Sequence, residues 1–120
     1  MLRKFPLQAT VALAVACVLA ASASAHAPIA SRTPAPATAA HNVRTVQITF
    51  GDSVVTGLIE VRCGGRLQSP AASGPTHHNT IVRASFSKPL PPGSCTVNWR
   101  ALAKDGHHQR GSWTFTVRGA

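Results

Sequence analysis

Short stretches in which apolar and polar residues alternate constrain the fold of this chain more than any other feature of its sequence. Successive side chains of an extended strand point to opposite faces, so each stretch predicts a strand with one buried and one exposed face. The alternating stretches are Thr45–Phe50, Ile59–Cys63, Val82–Phe86, Cys95–Ala101 and Ser112–Val117. Outside the N-terminal apolar run, no stretch has a convincing helical period. The pattern predicts an all-β fold, a sandwich or a small barrel.

Residues that favour turns separate these stretches. They are Gly51-Asp52, Gly64-Gly65, Ser73-Gly74-Pro75, Pro91-Pro92-Gly93 and Asp105-Gly106. Glycine, proline and aspartate are typical of turns and loops, so each group predicts a connection between strands. Residues 26–40 are rich in Ala, Pro, Ser and Thr, a composition that predicts an extended N-terminal arm.

The N-terminus has the organisation of a secretion signal. Arg3 and Lys4 precede an apolar run, Ala9–Ala20, and Ala23-Ser24-Ala25 follows with small residues at the cleavage positions. The apolar run is shorter than the roughly 20 residues that a membrane-spanning helix needs. We therefore predict that residues 1–25 are a cleaved signal peptide and that the exported protein begins at His26. The alternatives are a buried N-terminal helix and a lipoprotein anchored through Cys17.

Charge and length restrict the possible functions. The chain has a formal net charge of +9 but only three acidic residues. Removal of the signal would leave about 95 residues, which suits a single domain. The basic residues are scattered rather than clustered, which disfavours nucleic-acid binding. Three isolated carboxylates also disfavour the paired-acid chemistry of glycosidases.

Two cysteines remain after the predicted cleavage, Cys63 and Cys95, and both fall on apolar faces of predicted strands. Because an exported protein folds in an oxidising compartment, we expect a disulfide between them. The alternatives are two buried thiols that pack as small apolar groups, or cysteine ligands to a metal.

A histidine at the predicted new N-terminus and an Asp-Gly-His turn are the candidate metal ligands. His26 would offer its α-amine and its ring nitrogen to one ion. In the turn, Asp105 and His107 are alternate residues, so a carboxylate oxygen and an imidazole can point the same way. Three nitrogens and one oxygen form the tetragonal set that Cu(II) prefers. The alternative is an ordinary surface turn with exposed histidines.

The order of motifs along the chain resembles the CopC/PcoC family of periplasmic copper-resistance proteins. The matching residues are His26-Ala27, Pro34, Phe50, the run Pro89–Arg100, Asp105-Gly106-His107, and Gly111 with Phe115 and Val117. The resemblance implies a Greek-key β-barrel or sandwich that is immunoglobulin-like. It also implies that His26, Asp105 and His107 bind Cu(II).

The chain departs from the family in some respects. Some family members have a second, methionine-rich site for Cu(I), whereas the single methionine here is Met1, within the predicted signal. A thioether site for Cu(I) is therefore not expected. His41, His77 and His78 have no counterpart in the resemblance. His77 and His78 are expected to be surface loop residues, with weak secondary metal capture as the alternative. His108 follows His107 directly and is an alternative ligand, although as a neighbour it should point away.

The predicted function is Cu(II) binding in the periplasm for copper resistance or homeostasis, without enzymatic turnover. By resemblance, the protein would buffer copper or pass it to a CopD-like protein of the inner membrane, and it would act as a monomer. One alternative is an exported β-sandwich interaction module that binds no metal. Another is a copper monooxygenase with a histidine brace, which the small size and the absence of tyrosine disfavour.

Overall fold

The computed structural model describes residues 27–70, 72–76 and 78–119. The predicted signal peptide and His26 lie outside these residues. The strands of the described part are β1 (Ile29–Thr33), β2 (Ala39–His41), β3 (Thr45–Phe50), β4 (Val54–Cys63), β5 (Arg66–Gln68), β6 (Ala72–Thr76), β7 (Ile81–Ser85), β8 (Gly93–Ala103) and β9 (His108–Arg118). Within these residues there is no helix of the length and apolar character needed to cross a membrane.

The strands form two sheets that pack face to face. One sheet has the order β1-β3-β7-β6, and the other has the order β2-β9-β8-β4-β5. The all-β prediction is confirmed, and the form is a sandwich rather than a closed barrel. Alternate residues of each long strand point into the space between the sheets, where Phe50 and Trp99 meet edge to face with ring centroids 5.6 Å apart.

The predicted turn at Ser73-Gly74-Pro75 is wrong, because these residues form most of β6. Proline cannot donate a backbone hydrogen bond, so it normally interrupts a strand inside a sheet. β6 lies at the edge of its sheet and pairs only with β7. The missing N–H of Pro75 therefore removes no hydrogen bond to a second neighbouring strand. An edge position of this kind is a tertiary feature that the local sequence does not reveal.

The N-terminal arm is extended, as predicted, and the sandwich holds it at several points. β1 pairs with β3, and β2 pairs in parallel with β9. Between these strands, the indole N–H of Trp113 donates a hydrogen bond of 2.9 Å to the carbonyl of Pro34. The arm therefore supplies an edge strand to each sheet and is part of the domain.

The structure joins Cys63 and Cys95 in a disulfide, the pairing that the sequence analysis expects. The two residues face each other on β4 and β8, with Cα atoms 4.1 Å apart, and both are buried. The bridge ties together residues 32 positions apart, at the end of the five-stranded sheet next to the Gly64-Gly65 turn.

We expect loss of this bridge to lower the free energy of unfolding by about 3–4 kcal/mol, because a loop of this length restricts the unfolded chain. The measurement is urea unfolding of the double variant Cys63→Ala/Cys95→Ala against the oxidised protein. The wild-type protein unfolded in the presence of a reductant is the control and should match the variant. A change below about 1 kcal/mol would contradict the expectation.

Candidate metal centre

The hairpin between β8 and β9 carries two of the predicted ligands. The N–H of Gly106 donates to the carbonyl of Ala103 at 3.0 Å, and the N–H of Ala103 donates to the carbonyl of His107 at 2.9 Å. Gly106 has a φ of 87°, a conformation that glycine adopts without steric cost. The predicted Asp105-Gly106 turn is confirmed, and two backbone hydrogen bonds fix its shape.

Asp105 and His107 lie side by side in this turn. One carboxylate oxygen of Asp105, Oδ1, accepts the backbone N–H of His107 at 3.0 Å. The other, Oδ2, is 2.7 Å from Nδ1 of the His107 ring. The side chain of His107 is 65% exposed and that of Asp105 is 22% exposed, so the ring is open to a solute while the carboxylate is partly enclosed.

The spacing of these two atoms fits a shared metal ion. Two donors that each lie about 2.0–2.1 Å from a metal, at right angles, are separated by about 2.9 Å. The 2.7 Å between Oδ2 of Asp105 and Nδ1 of His107 is close to this value. In the metal-free protein this contact is a hydrogen bond, which a metal ion would replace, because Nδ1 must carry no proton when it binds metal.

Gln109 holds the start of the described chain beside the turn. Its side-chain oxygen accepts the N–H of Ala27 at 3.0 Å, and its amide nitrogen donates to the carbonyl of Ala27 at 3.0 Å. Gln109 pairs with the buried Ala101 and shares a face with His107, because alternate residues of a strand point the same way. Ala27, the residue that follows His26 in the sequence, is therefore anchored on the face of the sheet to which His107 belongs.

Gln109 belongs to no motif that the sequence displays. Its position in β9 is the feature that could have revealed it, because Gln109 is a polar residue at a position that the alternation of β9 turns inward. Such a residue needs a hydrogen-bond partner, and the backbone of Ala27 supplies one.

A second carboxylate, Asp52, lies at the same end of the sandwich. It is 3.4 Å from the ammonium group of Lys104, the residue before Asp105. The backbone N–H of Ser53 and then Lys104 hold the pKa of the Asp52 carboxyl below its ordinary value. Two of the three acidic residues of the chain therefore lie at this end, although the chain as a whole is strongly positive.

The other histidines of the described part do not join Asp105 and His107. His108 pairs with Leu102 and faces the outer side of the sheet, as the sequence predicted. His41 pairs with Arg118, at the opposite end of β9. His78 lies in the loop between β6 and β7, and His77 is outside the described residues. Within the described part of the chain, no three His, Cys, Asp or Glu residues are grouped as metal ligands. The structure thus brings Asp105 and His107 together, while His26 lies outside the residues that it describes.

The sequence and the fold both match one family of known proteins. The family model described as the CopC domain matches residues 29–118, which run from the first residue of β1 to the last of β9. Copper resistance protein C of Pseudomonas syringae pv. tomato is 29% identical, over 84% of this chain and 87% of that protein. Copper resistance protein C of Escherichia coli is 27% identical, over 83% of this chain and 87% of that protein.

Solved structures have the same architecture. PcoC from Escherichia coli, described as a methionine-rich copper resistance protein, superposes with a TM-score of 0.69 at 22% identity, covering 78% of this chain and 99% of PcoC. CopC from Methylosinus trichosporium OB3b gives a TM-score of 0.63 at 22% identity, covering 78% of this chain and 94% of that one. The molecule is thus a β-sandwich of the kind seen in these proteins. The chain belongs to the CopC domain family.

Proposed function

We propose that this chain is a periplasmic copper-binding protein that serves copper resistance or homeostasis. In this proposal, cleavage after Ala25 produces a protein that begins at His26. One Cu(II) ion is held by the α-amine and ring of His26 together with Asp105 and His107. The observation that carries the proposal is the 2.7 Å separation of Oδ2 of Asp105 and Nδ1 of His107 on a hairpin fixed by backbone hydrogen bonds.

The position of Ala27 supports the inclusion of His26. Two hydrogen bonds between Ala27 and the Gln109 side chain anchor Ala27, and Gln109 is only two residues from His107 on the same face of the sheet. The N-terminal residue of the processed protein is covalently joined to this anchored position. The amine and the ring of His26 then complete a set of three nitrogens and one oxygen. Such a set suits Cu(II), which prefers tetragonal coordination, better than Zn(II), which prefers tetrahedral coordination.

The charge distribution supports a cation site at this end. Asp105 supplies a carboxylate at the turn itself, and Asp52, which pairs with Lys104 at 3.4 Å, lies at the same end of the sandwich. Two of the three acidic residues of a strongly positive chain are therefore near the proposed ligands.

The proposed role is binding without turnover. The protein would buffer copper or pass it to a CopD-like protein of the inner membrane, and it would do so as a monomer. A reductant added to the copper form should then give no sustained production of peroxide. Sustained oxidation of the reductant would instead indicate an oxygen-activating enzyme.

Titration of the exported protein with Cu(II) tests the proposal. Mass analysis first establishes that the N-terminus is His26. We expect one ion per chain, and an electron paramagnetic resonance spectrum with hyperfine coupling to nitrogen ligands. Zn(II) should compete weakly. Absence of binding, or a spectrum without nitrogen ligands, would contradict the proposal.

We expect Cu(II) affinity to fall steadily as the pH is lowered from about 8 to 5, because a nitrogen must lose its proton before it binds metal. Free imidazole has a pKa of about 6.5 and a free α-amine has one of about 7.7–8.0, so both kinds of ligand gain protons in this range. The measurement is a competition titration at several pH values, with circular dichroism as the control for retention of the fold. An affinity that is constant across the range would rule out this ligand set.

A further inference from the structure

The outer face of β4, β8 and β9 carries a row of arginines that the candidate metal centre does not use. Strand pairing places Leu58, Arg100 and Arg110 side by side in one row across the three strands. The neighbouring row is Glu60, Asn98 and Ser112. These side chains alternate with the buried residues of the same strands, so they point away from the core.

Arg100 and Arg110 face each other directly on adjacent strands. Like charges in directly opposed positions repel and destabilise a sheet. Glu60, the carboxylate nearest in register, is already paired with Arg62 at 2.9 Å. Among the described residues, no carboxylate lies within ion-pair distance of Arg100 or Arg110. The two guanidinium groups therefore have no ion-pair partner in the described part of the chain, although Glu60 lies in the neighbouring row.

The arginine pair lines a depression rather than a flat surface. The depression has a volume of about 450 Å³, and Leu58 and Glu60 form another part of its wall. Leu58 is 43% exposed, so an apolar side chain is accessible beside the charged groups. Arginine and apolar side chains are typical of protein interfaces, whereas lysine is depleted there. Lys88 and Lys104, the lysines of the described part, both lie in connections between strands.

We propose that this depression is a docking site for an acidic segment of a partner protein, with carboxylates that bind Arg100 and Arg110 and an apolar side chain that packs on Leu58. Each guanidinium can bind a carboxylate through two parallel hydrogen bonds, and the bound charge also removes the repulsion between the arginines.

Other anionic partners fit the surface less well. Single-stranded nucleic acid binds on exposed aromatic side chains, and every aromatic side chain in the described part is buried. A narrow polypeptide segment can enter the depression, and binding to vesicles alone is the outcome that would favour a membrane surface instead.

The depression lies next to the candidate metal centre but is distinct from it. On the outer face, only the row formed by Thr56, Leu102 and His108 separates the arginine row from the turn that carries Asp105 and His107. A partner seated here would be adjacent to the turn. Docking itself requires no metal, so it is tested on copper-free protein and does not depend on the proposed copper function.

The test uses the copper-free exported protein labelled with ¹⁵N and a short capped peptide of repeated glutamate, leucine and glycine. At low salt we expect amide shifts along β4, β8 and β9, because electrostatic attraction is weakly screened there. Arg100→Gln/Arg110→Gln should weaken binding at least about tenfold, equivalent to about 1.4 kcal/mol. A peptide with glutamine in place of glutamate should not bind.

Arg44→Gln/Arg83→Gln is the matched control, since it removes the same charge from residues outside this sheet. It should leave peptide binding unchanged. Equal loss in both double variants would show a general charge effect and overturn the proposal. Shifts confined to other surfaces, absence of peptide binding, or binding only to phosphatidylglycerol vesicles would also overturn it. The shift map of the wild-type protein decides the matter even if a variant fails to fold.

Discussion

His107→Ala should lower Cu(II) affinity more than about 100-fold. Loss of a group that merely orients a metal ligand typically costs 10–100-fold, and loss of a ligand should exceed that range. Replacement of His107 removes one of the two donors that lie 2.7 Å apart, and it leaves Asp105 without the ring that it contacts. Competition titration at pH 7.5 against a chelator of known affinity measures the change.

His108→Ala is the matched control for this substitution. It removes a neighbouring histidine that faces the opposite side of the sheet, so the affinity should not change. Neither substitution should disturb the turn, because the hydrogen bonds that shape it join backbone atoms of Ala103, Gly106 and His107. An equal loss of affinity in the two variants would show that the ion binds through general histidine content and not at the turn.

The period-two alternation predicted the central strands because those strands have one face in the core and one in solvent. β3 coincides with the predicted stretch Thr45–Phe50, and β8 and β9 extend their predicted stretches at both ends. The short strands β5 and β6 were not predicted. Each pairs with a single neighbour at a sheet edge, where few side chains are buried and the alternation is weak.

The local part of the candidate site could be predicted, and the long-range part could not. Asp105 and His107 are two residues apart in a turn that glycine makes possible, so their proximity follows from the local sequence. The contact between Ala27 and Gln109 joins residues 82 positions apart and depends on how the arm packs on the sandwich. The opposition of Arg100 and Arg110 likewise depends on strand register, which the alternation does not specify.

A protein that retains Ala23, Ser24 and Ala25 before His26 should bind Cu(II) more than about 100-fold more weakly than the protein that begins at His26. The retained residues convert the α-amine of His26 into a peptide nitrogen. The proposed site then lacks one nitrogen ligand, and the amine and imidazole of His26 can no longer bind the ion together as a chelate. The hydrogen bonds between Ala27 and Gln109 do not involve that amine, so the domain should fold equally well.

Two measurements separate this effect from a change in the fold. The same three residues appended after Ala120 should leave affinity unchanged, and thermal unfolding should be alike in all three proteins. The pH dependence of the extended protein should also be shallower near pH 8, because the amine that titrates there is no longer a ligand. If the extended protein bound Cu(II) as tightly as the processed one, the α-amine would not be a ligand. Signal cleavage would then determine only the destination of the protein and not the composition of its metal site.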